Sequence, residues 1–229
     1  MKTARILIVD SDRSVRNSIR RYLSQKNYVL ESAVDKQTAL KVFKWFEPHI
    51  IVLAVNFPDG SGYELCEKMS RYLNTFVIIL SSRSNISDKI EGYSKGADDY
   101  ITKPFDIQEV EYRIKAILKR HKAIVGSSPK CLKISNLVAD PRGKKLKIND
   151  RQILLTALEF DLFYFLATQP ERVWRRDELI MNVWNHNRKV HENVIDVYVG
   201  NIRKKIMAIN CCRVPSIQTV RGVGYKLVL

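Results

Sequence analysis

The chain is short of acidic residues, of cysteine and of long apolar stretches, and each shortage excludes something. Asp and Glu number 24 against 39 Lys and Arg, a formal net charge of +15 over 229 residues. That balance points to a polyanionic partner, most simply nucleic acid, over a merely soluble basic surface. No apolar run approaches the roughly 18 residues of a membrane span. The opening MKTARILIVD has one short apolar run met at once by charge and lacks a secretory layout, so a cytoplasmic chain with no membrane partner is expected. The four cysteines, Cys66, Cys131, Cys211 and Cys212, form no CxxC pair, and no His stands at metal-ligand spacing from them. Adjacent Cys211 and Cys212 are poorly placed to bridge each other, so reduced, structural thiols are expected. Neither a hydrolase triad nor a Walker loop is present. No enzymatic activity, metal or cofactor is expected.

What is there divides in two. Residues 1–122 carry 21 Lys and Arg against 15 Asp and Glu, a balance of +6; residues 123–229 carry 18 against 9, a balance of +9 in a shorter segment. At 45% hydrophobic residues, both halves can build cores. In the first half, short apolar runs alternate with helical spacing. ARILIV (4–9), YVLESA (28–33), IIVLA (50–54), TFVIIL (75–80) and DDYIT (98–102) read as strands. Between them, Val15, Ile19, Tyr22 and Leu23, then Leu40, Phe43 and Phe46, then Leu65, Met69 and Leu73 mark helices. A weak helix spans about 86–94, and Asp106 is placed to cap a last one striped by Val110, Ile114 and Ile117. Such repeated units predict a parallel sheet covered on both faces. Its ligand edge lies at the carboxyl ends of the strands, where Asp10, Ser11, Ala54, Ser81 and Lys103 fall.

ILIVDSD, VNFPDGSGYEL, IILSS and KGADDYITKPF, in that order and spacing, resemble a response-regulator receiver domain over residues 4–120, and GADDYITKPF is close to the OmpR/PhoB subfamily. The resemblance implies phosphoryl transfer to an aspartate ending the third strand, beside Mg²⁺ held by two acids after the first. Asp10 matches the first acid, Ser81 the phosphoryl-binding hydroxyl and Lys103 the phosphoryl-binding Lys, with Pro104 following in a bond that is usually cis. Two positions depart: Ser11 stands at the second acid and Ala54 at the acceptor. A methyl group is neither nucleophile nor ligand, so aspartyl phosphate cannot form there, and one carboxylate is a poor site for a hard cation. A degenerate pocket is expected, with Asp12 or Asp59 as the substitute acceptors to weigh and a turn role for Asp59. The alternative is a phosphorylation-switched regulator whose acceptor was mutated to Ala54; two losses in one pocket favour natural divergence. Lys89, Asp98, Asp99, Glu109, Arg113 and Lys115 match charges that pair two receivers in this family, so a homodimer is expected.

HKAIVGSSPK (121–130) interrupts the periodicity and reads as a linker. Beyond it LKISN, LVAD, KLKIN and QILL are strand-like. Thr156 and Glu159 have capping-box spacing ahead of LEFDLFYFLA. RRDELIMNVW and HENVIDVYVGNIRKKI follow as helices, the latter burying Val194 or Ile195, Tyr198, Ile202 and Ile206. Gly222 and Gly224 permit a terminal hairpin. Three helices and a hairpin make a winged helix-turn-helix, and ALEFDLFYFL, RDELIMNVW, NVIDVYVGNIRKKI and IQTVRGVGYKL resemble the OmpR/PhoB effector domain over 131–229. The expected fold is α/β: a flavodoxin-like (βα)5 receiver domain (1–120), a linker (121–130) and an α+β winged helix-turn-helix domain (131–229). Asn193, Tyr198, Asn201, Arg203, Lys204, Thr219 and Arg221 are the expected DNA contacts, Tyr198 with core packing as an equal alternative. Gly200 and Asn201 stand where some relatives carry an Arg pair, which leaves the operator sequence open. The implied partners are double-stranded DNA in repeated half-sites, a second copy of the chain and RNA polymerase, with a histidine kinase left open. A protein-interaction adaptor that never touches DNA is a further alternative; the basic second half speaks against it.

Overall fold

The computed structural model describes residues 3–72, 75–126, 130–184, 192–209 and 214–229, with backbone only for 120–126. Two compact units divide the chain at Ile117–Leu118.

The first unit runs β1 (Arg5–Val9), α1 (Arg13–Leu23), β2 (Val29–Ala33), α2 (Lys36–Phe46), β3 (Ile50–Ala54), the two-residue strands β4 (Asn56–Phe57) and β5 (Gly60–Ser61), α3 (Gly62–Met69), β6 (Phe76–Ser81), α4 (Ile86–Ser94), β7 (Asp99–Thr102) and α5 (Ile107–Gly126). The five long strands pair in parallel in the order β2-β1-β3-β6-β7, the flavodoxin-like arrangement. Every residue of β3 and β6 is buried, which is why these strands read as unbroken apolar runs. Short polar side chains start the helices: Asp12 accepts from Ser14 N at 2.7 Å, Asp35 from Thr38 N at 2.6 Å and Ser61 from Tyr63 N at 3.2 Å. Asp106 does the same for Gln108 N at 2.8 Å. The stripe of α5, Val110, Ile114 and Ile117, is buried as expected. Leu73, expected on the α3 stripe, lies outside the described residues. One difference concerns the linker: α5 continues through the expected break at 121 as far as Gly126. His121 to Val125 contain no helix-breaking residue, and the first glycine stands at the helix end.

The second unit begins with an antiparallel sheet of β8 (Leu132–Ile134), β9 (Leu137–Asp140), β10 (Lys145–Ile148) and β11 (Arg151–Ile153). It continues with α6 (Ala157–Thr168), β12 (Trp174–Arg175), α7 (Arg176–Val183), α8 (Asn193–Met207), β13 (Ser216–Val220) and β14 (Gly224–Val228), and the last two strands form a sheet with β12. The capping box is present: Thr156 Oγ1 accepts from Glu159 N at 3.3 Å and Glu159 Oε2 from Thr156 N at 2.7 Å. Val194 and Ile195 are both buried on α8, with Tyr198, Ile202 and Ile206. The wing glycines play different roles. Gly222 has φ +72°, but Gly224 is required by contact, because a Cβ there would stand 2.0 Å from Trp174 O.

Helix α6 is buried from Ala157 to Phe163 on every side, two acids included. A buried carboxylate is costly without a partner. Lys144 supplies one, its ammonium 2.8 Å from both oxygens of Asp161, with both side chains excluded from solvent. Lys205 supplies the other, 2.5 Å from Glu159 Oε2. Neither pairing was apparent in the sequence. Lys144→Met should strand Asp161 and cost about 3–5 kcal/mol of stability by urea unfolding, whereas Lys144→Met with Asp161→Leu should recover most of that loss.

Candidate functional site

Strand order reverses between β1 and β3, so the crevice of the first unit opens at their carboxyl ends. Register aligns Val9 with Leu53, which sets Asp10 beside Ala54. Asp10 is 3% exposed and Ala54 4%. Asp10 Oδ2 lies 2.6 Å from Lys103 Nζ, and its Oδ1 accepts from Asp12 N at 3.0 Å. Lys103 reaches it from the end of β7, its N–H bonded to Ser81 O at 2.7 Å and its bond to Pro104 cis. Ser81 is buried, its Oγ accepting from Arg83 N at 3.1 Å. Ser11 is exposed. The loop after β3 folds back on the strand end: Gly62 N donates to Val55 O at 2.6 Å, and a Cβ on Gly62 would stand 2.1 Å from Ala54 O.

The pocket residues are thus brought together, but their donor set does not fit Mg²⁺. One carboxylate faces the crevice, and an ammonium already neutralises it. Among the described residues no group of three or more His, Cys, Asp or Glu is arranged to hold a metal ion. The substitute acceptors are committed elsewhere. Asp12 caps α1, and Asp59 Oδ2 accepts from Lys36 N at 3.2 Å.

The charges expected on a pairing face separate. Asp98 is 3% exposed and turns inward, its Oδ2 accepting from Val77 N at 2.7 Å. Asp99 and Arg113 are also buried and pair with each other at 3.1 Å, while Glu109 joins Arg113 at 3.0 Å. Lys115 sits 2.8 Å from Glu111 Oε1, one turn back on α5, and Tyr22 of α1 donates to Glu111 Oε2 at 2.9 Å. Those bonds, Lys115's first, hold the Glu111 carboxyl below its ordinary pKa. Lys89 and Glu109 remain half-exposed. Asp98 is thus turned to the backbone of β6, whereas Lys115 stays exposed while pairing with Glu111 on its own helix.

In the second unit Asn193, Lys204, Thr219 and Arg221 are exposed, and Asn201 is half-buried. Tyr198 is 1% exposed and packs edge-on against Trp184 with ring centres 5.4 Å apart, so core packing is its role. Arg203 binds the wing: Nε donates to Ile217 O at 2.8 Å and a terminal nitrogen to Thr219 Oγ1 at 2.9 Å. It acts as a strut that sets α8 against β13. A second strut was missed in the sequence. Tyr225 donates to Asp196 Oδ1 at 2.6 Å, and Arg176 Nε donates to the same oxygen at 3.2 Å, joining α7, α8 and β14. Burial, then the bond to Asp196, pushes the Tyr225 phenol up and keeps it a neutral donor. Tyr225 and Asp196 stand inside recognisable motifs, but 29 positions apart their contact has no local signal.

The two kinds of cation predict different salt behaviour. Lys204→Ala and Arg221→Ala should each weaken DNA binding and lower the slope of log affinity against log salt by about 0.9. Arg203→Ala should weaken binding with the slope nearly unchanged, because it removes wing positioning; fluorescence anisotropy from 50 to 200 mM salt reads both.

Comparison with known proteins agrees with this geometry. Residues 6–115 match the response regulator receiver domain family, and residues 150–227 the family described as transcriptional regulatory protein, C terminal. The chain is 34% identical over 222 residues to the response regulator ArlR of Staphylococcus aureus, covering 97% of this chain and 98% of ArlR. Among solved structures, a RitR mutant superposes with a TM-score of 0.82 at 27% identity, covering 98% of this chain and 99% of that one. DrrB, an OmpR/PhoB homologue of Thermotoga maritima, gives 0.51 at 29% identity over 99% of both chains. No helix among the described residues is long and apolar enough to cross a membrane. With its parallel-sheet unit, its winged-helix unit and near full-length similarity to ArlR, the chain belongs to the OmpR/PhoB family of response regulators, a receiver domain followed by a DNA-binding domain.

Proposed function

We propose that this response regulator is a sequence-specific transcription factor that pairs through its receiver and occupies DNA without aspartyl phosphorylation. One observation carries the reading: Lys103 closes on Asp10 at 2.6 Å, beside the buried methyl of Ala54. In-line phosphoryl transfer needs a nucleophilic oxygen and cations to gather the transferring charge. Position 54 offers no oxygen. The cation that would serve a phosphoryl group is spent on a carboxylate, and that carboxylate is lost to a metal. Ser11 removes the second acid.

Pairing then rests on the face built from α4, β7 and α5. Its framework is internal: Arg113 holds Asp99 and Glu109, and Tyr100 donates its hydroxyl to Arg83 O at 2.9 Å. These bonds need no phosphoryl group to form. Half-exposed Lys89 and Glu109 would set register between two copies while contributing little affinity, because exposed ion pairs are worth about 0–1 kcal/mol. Two effector domains would then meet repeated half-sites about one helical turn apart.

The purified chain incubated with a small phosphodonor and Mg²⁺ should show no gain of a phosphoryl mass and no change in its monomer–dimer balance by sedimentation. A stable single phosphoryl adduct that shifts that balance defeats the proposal. Ala54→Asp separates natural divergence from a disabled switch: phosphate uptake together with tighter DNA binding in that variant would favour the switch.

A further inference from the structure

The sheet β8–β11 has two faces of opposite character. Leu137, Ala139, Leu146, Ile148 and Ile153 point inward and are buried. On the other face Lys133, Lys145 and Lys147 are exposed. Register places Lys133 and Lys147 opposite the same residue, Val138, on the two strands that flank β9. Exposed Arg142, in the turn between β9 and β10, and exposed Lys130, just before β8, add to the same side. An open groove of about 700 Å³ runs here, lined by Lys130, Arg142, Lys145 and Lys147 among others. The acid in its lining is Asp140, whose Oδ1 already accepts from Arg142 N at 3.0 Å. None of these residues belongs to α8 or to the wing.

The spacing makes these charges one patch. Lys145 and Lys147 lie two residues apart on one strand, about 7 Å, and Lys133 and Lys147 two strands apart, about 10 Å. Both separations are within a Debye length at physiological salt or close to it, so the potentials add. The chemistry of the face selects the partner. A protein hot spot needs aromatic or large aliphatic anchors, and the groove's lining offers the half-exposed Val138. The receiver half of a second copy is itself basic at +6, so it is no electrostatic complement. A phosphate backbone needs dense, flexible ammonium groups and no apolar anchor, which is what this face supplies.

We infer that the outer face of the β8–β11 sheet binds the phosphate backbone of a second DNA segment, apart from the duplex engaged by α8 and the wing. The inference rests on the DNA-binding reading of the effector domain. A chain with two such surfaces holds two duplexes together, and the second contact reads charge, with no sequence preference.

The test uses the full chain and two duplexes of random sequence, one tethered to beads and one labelled in solution. Wild type should capture the labelled duplex on the tethered one. Lys133→Gln, Lys145→Gln and Lys147→Gln combined should leave binding of a single short duplex within about twofold, yet lower capture of the second at least tenfold. The salt slope of capture should fall by up to about 2.7, at about 0.9 per lost phosphate contact. Unchanged capture by the triple variant overturns the inference. So does lost capture accompanied by lost self-association in sedimentation, which would assign the face to a second copy of the chain. A wild type that binds one duplex and never captures another overturns the inference and leaves the proposed function standing. A wild type that binds no duplex at all removes both.

Discussion

The contact between Lys103 and Asp10 organises the receiver's ligand edge. Topology places the crevice where strand order reverses, and the register of β1 on β3 delivers Asp10 to the side of residue 54. With Ala54 there, Lys103 lies against the Asp10 carboxylate at 2.6 Å. A carboxylate 3% exposed is costly to bury without such a partner. The same ion pair satisfies the buried acid, and in the proposed reading it occupies two groups that phosphoryl chemistry would use. In that reading the receiver serves as a scaffold, a covered parallel sheet carrying α4, β7 and α5.

A similar economy governs the effector domain. The net charge of +15 suggests a surface crowded with DNA-seeking cations, but several of them look inward. Lys144 and Lys205 neutralise the acids of α6, Arg203 fastens α8 to the wing, and Arg176 meets Asp196 beside Tyr225. In the receiver, Arg113 and Lys103 are occupied likewise. The cations that remain outward in the effector domain include one set on α8 and the wing tip and another across β8–β11. Composition counts both kinds alike. Only the outward ones can displace counterions from a phosphate backbone, so only they contribute to salt-dependent affinity.

Local patterns in the chain foretold the elements well. Unbroken apolar runs marked β3 and β6 because both faces of those strands are covered. Thr156 and Glu159 announced the start of α6 because a capping box is completed within four residues. The break expected at 121 did not occur, since the turn-forming residues begin only at Gly126, where the helix ends. Tyr198 occupied a motif position open to DNA or core. Trp184, fourteen positions away, decides for the core.

The amino-acid sequence by itself determined the two-part architecture, the identity of the pocket residues and the missing acceptor, because these depend on residue type and short-range spacing. Tertiary structure decided which charges are spent: Asp10 on Lys103 across 93 positions, Glu159 on Lys205 across 46, Asp98 on a backbone N–H across 21. A side chain's freedom to bind something else depends on what folding brings next to it, and no periodicity along the chain records that.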